Sequence, residues 1–169
     1  LHFTSNSNCL LHFTKNKIEK QSQKAGTNLK KGVVLLKGKL YKQAVIELKL
    51  ALELDMETST LQLETMFSDF FKARDLEASL SVGLVLLTVR TKDFELANRV
   101  GNIARKLHNF KQANNLYKQS LRINKTFIKA YYNLAASMGK VDKFDLDVKK
   151  SIEQFAGFDN YVLPEIGRA

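Results

Sequence analysis

A chain of 169 residues, 44% of them apolar and only one a proline, has enough material for one well-buried domain and too much hydrophobic content for wholesale disorder. Its net charge of +10 is uneven: residues 1–50 carry ten lysines against Glu19 and Glu47, residues 51–100 carry five basic against nine acidic groups, and residues 101–169 carry twelve against six. Cys9 is the single cysteine, which excludes an intrachain disulfide and a thiolate zinc cluster and leaves the compartment open; the longest apolar runs, Val33 to Leu36 and Leu84 to Leu87, fall far short of the roughly 18 to 20 residues that span a bilayer.

In chain order, residues 1–24 read as a basic, poorly ordered lead-in or capping arm, because Ser5 to Asn8 is turn-like and no helical apolar spacing starts before Ile18. From Ala25 the period becomes helical. Leu29, Val33 and Leu36, then Tyr41, Ala44, Val45, Leu48, Ala51 and Leu52, mark two amphipathic helices broken near Gly38. Asp55 to Thr58 interrupts the pattern. Leu61, Leu63, Met66, Phe67, Phe70 and Phe71 then predict a third helix ending near Ala73, and Leu76 to Leu87 a fourth. Phe94, Ala97, Val100, Gly101, Ala104 and Leu107 predict a fifth, His108 and Asn109 a turn, and Phe110 to Ile123 a sixth. A further helix carries Ala130 to Ala135, with a partner at Phe144, Val148, Ile152 and Phe155. Gly157, Pro164 and Gly167 make residues 157–169 an extended tail.

These segments keep a beat. Ala44, Ala78 and Ala113 sit in matching helical contexts 34 and 35 residues apart, and Gly32 and Gly101 each lie 12 residues before one of those alanines. A repeat of about 34 residues built from two helices predicts a stacked array, since one such unit cannot bury its apolar face alone. The small residues let helix backbones approach, and Tyr41, Phe110 and Tyr117 fill the gaps left between them. The units run over about residues 25–56, 60–90, 94–125 and 127–156, the last acting as a cap.

With its aromatic three residues before a small residue (Tyr41 and Ala44, Phe110 and Ala113), Val100-Gly101 and Leu134-Ala135 in first helices, and Ala51 to Asp55 and Ser120 to Asn124 closing second helices, the sequence resembles the tetratricopeptide repeats over about residues 25–156. The resemblance implies an all-α, right-handed superhelix (an α-solenoid) of about four helix-turn-helix hairpins. Departures are Met66 and Val85 in place of small residues, Met56 and Lys125 in place of proline, and Asp147 in place of alanine in the terminal unit.

The same resemblance implies a concave groove, lined by first helices, that takes an extended or helical peptide. On this chain that face comprises Leu29, Val33 and Leu36, then Leu63, Phe67, Phe70 and Phe71, then Asn98, Asn102, Arg105 and Lys106, and finally Lys129, Tyr132, Asn133 and Lys140. One end is apolar and the other amide-rich and cationic, which suits a ligand with an apolar anchor followed by acidic groups. Some family members grip the carboxylate end of heat-shock chaperones with two asparagines and several basic residues. Asn102 and Asn133 fall on two of those places, while Asn98 stands where lysine is expected. The plainer expectation is that both asparagines bond the backbone of neighbouring helices. Three phenylalanines within five residues cannot share one helix face, so at least one of Phe67, Phe70 and Phe71 looks outward or toward a neighbour and is the better partner contact.

No catalytic constellation is legible. His2, His12 and His108 are scattered, no glycine loop follows a strand, and Asp142, Asp145 and Asp147 lack the glycine and closing glutamate of a calcium loop. The expectation is a protein that is not an enzyme and needs no cofactor or metal: an interaction module or assembly scaffold for an acidic peptide or protein. An alternative is a helical-repeat nucleic-acid binder using the basic ends, though the acidic middle interrupts a phosphate track. A third is self-association, with the tail around Tyr161 to Pro164 lying in the groove of another copy.

Overall fold

Three turns carry the same strained residue. Lys39, Arg74 and His108 have φ of 60°, 62° and 59°, the left-handed region that residues other than glycine rarely enter, asparagine, aspartate and histidine doing so more often than the rest. At each, two backbone bonds close the preceding helix: Lys39 N–H donates to Leu36 O and Leu40 N–H to Leu35 O (both 2.9 Å); Arg74 N–H to Phe71 O (3.1 Å) and Asp75 N–H to Phe70 O (3.0 Å); His108 N–H to Arg105 O (3.0 Å) and Asn109 N–H to Ala104 O (2.9 Å). This Schellman-like closure reverses the chain into the next helix.

The structure, a computed structural model, describes residues 4–138, with side chains from residue 14. Among them are seven helices and no strand: α1 (Thr4–Lys37), α2 (Tyr41–Leu54), α3 (Met56–Lys72), α4 (Leu76–Val89), α5 (Phe94–Lys106), α6 (Phe110–Ile123) and α7 (Ile128–Met138). None is long and apolar enough to cross a membrane. The lead-in expected before Ala25 is instead helical from Thr4; that stretch has no apolar period because its side chains from Thr14 to Gln21 are exposed. Lys140, Lys143 to Phe155 and the tail 157–169 lie outside the described residues.

Helix starts are set by side-chain caps that satisfy orphan N–H groups. Asp55 accepts from Thr58 N–H (3.1 Å), Asp75 from Ala78 N–H (3.1 Å), Asp93 from Leu96 N–H (2.8 Å) and Asn109 from Gln112 N–H (3.3 Å). Leu40, before α2, provides no such bond.

The chain divides into two compact units, Leu1–Leu96 and Ala97–Ala169, with the boundary inside α5. In the first, α1 packs on α2, α3 on α4, and α2 on both α3 and α4. Leu29, Leu36, Leu48, Leu63, Phe67, Val82 and Leu86 form its core, each such side chain contributing about 1.5–3 kcal/mol by burial. Gly32 allows the α1–α2 approach, since a β-carbon there would stand 2.6 Å from Leu48 Cδ2. Two buried serines tie helices together: Ser59 Oγ donates to Ala51 O (3.0 Å) and Ser79 Oγ to Phe67 O (3.1 Å). Ser22 Oγ donates to Asp55 Oδ2 (2.7 Å), Lys31 pairs with Glu47, and Arg90 pairs with Glu64 and lies 3.6 Å from Asp93.

In the second unit α6 packs on α7 around Ala113, Leu116, Tyr117, Ala130, Leu134 and Met138. Gly101 is buried against Tyr117, whose Cε1 and Cδ1 would lie 2.6 and 2.9 Å from a β-carbon added there. The approach to α7 is shaped by Asn124, whose Oδ1 accepts from Thr126 N–H (3.0 Å) and Oγ1–H (2.8 Å), and by the Tyr131 hydroxyl, which donates to Lys125 O (3.1 Å).

Candidate functional site

Spacings of four and three residues put Asn98, Asn102 and Arg105 on one face of α5. The second unit joins that face to α7 and α6 through side chains. Asn133 Nδ2 donates to Asn98 Oδ1 at 2.9 Å, 35 residues away in sequence, and Asn98 is only 6% exposed. The Tyr117 hydroxyl donates to Asn102 Oδ1 at 2.9 Å. Both asparagines were expected to bond backbone; each of these bonds goes to a side chain instead, because a neighbouring helix presents a matching polar group.

Tyr117 is wholly buried. Burial raises the pKa of its hydroxyl, and a hydrogen bond to Arg105 and that residue's charge pull it partly back. Arg105 Nε is itself buried with no hydrogen-bond partner among the described residues. Arg105 thus brings a cation and an unused donor to a site where Asn102 has committed its oxygen and keeps its amide N–H groups. Such a set is equipped to meet an anionic or carbonyl oxygen. Lys106, Lys129 and Tyr132 are exposed.

Tyr117 was read from the sequence as a gap filler, and its part in this polar cluster was missed. The signal was its hydroxyl: a buried tyrosine needs a hydrogen-bond partner where phenylalanine would not.

In the first unit the three phenylalanines part company. Phe67 is 3% exposed and belongs to the core, Phe70 is half-buried, and Phe71 is 41% exposed. Leu29, Leu36 and Leu63 are likewise core residues, and Val33 is half-buried. Phe71 is therefore the outward-pointing member of the trio.

Paired helices joined by repeated left-handed turns define an α-helical repeat fold of the tetratricopeptide type. Solved structures of MamA share that fold. A point mutant of MamA superposes with a TM-score of 0.69 at 13% identity, covering 80% of this chain and 97% of that one. A crystal structure of MamA gives a TM-score of 0.51 at 20% identity over 83% and 79% of the two chains. The first TPR of Spaghetti (RPAP3), solved bound to an HSP90 peptide, gives 0.47 at 17% identity over 72% and 96%. No family model matches the sequence, and no curated protein matches it.

Proposed function

We propose that this chain is a protein-interaction module or assembly scaffold, with the repeat array spanning about residues 25–156, and that its first helices bind a partner peptide or protein. The observation that carries this reading is the polar cluster of the second unit: Asn98 bonded to Asn133, Asn102 bonded to Tyr117, and Arg105 beside them with a buried, unused Nε donor. Amides held by their neighbours are already oriented, so a peptide docking there forfeits little entropy in ordering the site. Lys106 and Lys129 add exposed positive charge on α5 and α7, which favours an acidic peptide. In the first unit Phe71 offers an apolar contact of its own.

The test is capture. A peptide or protein retained by the intact chain is expected to be lost when Arg105, Lys106 and Lys129 are changed together to Glu, while helical content by circular dichroism stays the same. Retention undiminished by the triple reversal would refute the assignment of these residues.

A further inference from the structure

α1 is 34 residues long and α2 only 14, so at about 1.5 Å per residue α1 outreaches its neighbour by tens of ångströms. Along α1 a lysine precedes a residue of one and the same stripe every seven residues: Lys17-Ile18, Lys24-Ala25 and Lys31-Gly32. The last pair shows what such a dipeptide meets. Lys31 is ion-paired with Glu47, and the next residue of α2, Leu48, sits directly over Gly32. Ala25, one heptad back, is also buried at 2% exposure. Ile18 lies on the same stripe, yet it is 64% exposed. Lys17 is exposed beside it, and on the adjoining face of the helix Lys17, Lys20 and Lys24 with Asn16 and Gln21 line an open depression of about 440 Å³ that does not include Ile18.

We propose that the amino-terminal half of α1, centred on Lys17 and Ile18, is a second docking surface whose partner is an acidic amphipathic helix carrying a Glu-Leu step at the contact. The partner repeats the way α2 covers Lys31 and Gly32: leucine against the apolar stripe, glutamate against the flanking lysine. Glu19 is the only acidic residue between Thr14 and Lys42, a stretch with nine lysines, so a partner helix of like charge is repelled and an acidic one attracted. This surface lies on a different helix from the α5–α7 cluster and does not depend on it.

The experiment titrates the full chain against a fluorescent synthetic helix of three heptads, about 21 residues, with Glu-Leu repeated every seven. Binding is expected, weakened roughly tenfold or more by Lys17→Glu and, separately, by Ile18→Asp. Both positions are exposed, so helical content should not change. A peptide with lysine in place of its glutamates should regain affinity for the Lys17→Glu variant. The proposal is overturned if the peptide does not bind, if neither substitution weakens it, or if single-stranded polyuridylate or phosphatidylserine vesicles bind the chain more tightly than the peptide does.

Discussion

The ring of Tyr117 occupies the space in which a side chain on Gly101 would begin, its Cε1 only 2.6 Å from the position of a β-carbon. At Gly32 the equivalent obstacle is Leu48 Cδ2, also at 2.6 Å, but that is the end of a flexible side chain whereas the tyrosine is a rigid ring anchored to Asn102. Gly101→Ala should therefore cost about 1–2 kcal/mol net, since overpacking of about 1–3 kcal/mol outweighs the roughly 1 kcal/mol that alanine gains over glycine in a helix. Gly32→Ala should come out near neutral. In a Tyr117→Ala background the sign at Gly101 should reverse, because the ring is gone. Urea unfolding of the four variants checks this; an equal loss at both glycines would show that the ring is not the obstacle.

The left-handed turns offer a gain. Glycine at Lys39, Arg74 or His108 relieves a strain of about 1–2 kcal/mol and gives back part of it through greater freedom of the unfolded chain. Each substitution should add about 0.5–1 kcal/mol, and the three should be roughly additive because they occupy separate turns. His108 also makes an edge contact with the Phe110 ring, centroids 5.8 Å apart, so His108→Gly should gain least. Thermal unfolding of the single and triple variants tests the expectation; a triple variant that melts below the parent contradicts it.

Asp55 links folding to pH. Its carboxylate accepts from the Ser22 hydroxyl and from Thr58 N–H, bonds that lower its pKa below the ordinary carboxylate value. A group whose folded pKa is depressed contributes stability above its unfolded value, and the contribution disappears as pH falls through the folded one. Ser22→Ala, which removes the largest cause of the shift, should be less stable than the parent near neutral pH. As the pH falls through the lowered folded pKa and the carboxyl becomes protonated in both proteins, the gap should narrow. Denaturant midpoints across that range decide it; a gap independent of pH would assign the effect of Ser22 to packing instead.

Ala44, Ala78 and Ala113, the residues that marked the repeat, are all fully buried, and the helices they sit in alternate with the turns near Gly38, Ala73 and His108. This much was legible because close helix contact admits only small side chains and recurs once per unit, so it leaves a period in the sequence. Of the candidate site, the expectation that not all three phenylalanines share one face followed the same logic, but that Phe71 is the outward one was decided only by the packing.

What the one-dimensional pattern determined, then, was the class of architecture: helical period, pair length and the positions of small residues follow from neighbours a few places along the chain. Tertiary structure alone decided that Asn133 bonds Asn98, that Tyr117 anchors Asn102, that α1 runs helical back to Thr4 with Ile18 left bare, and that lysine, arginine and histidine take turns suited to glycine. Those outcomes depend on groups that fold brings together from as far as 35 residues apart, and on strain that surrounding packing holds in place, neither of which is written in local spacing.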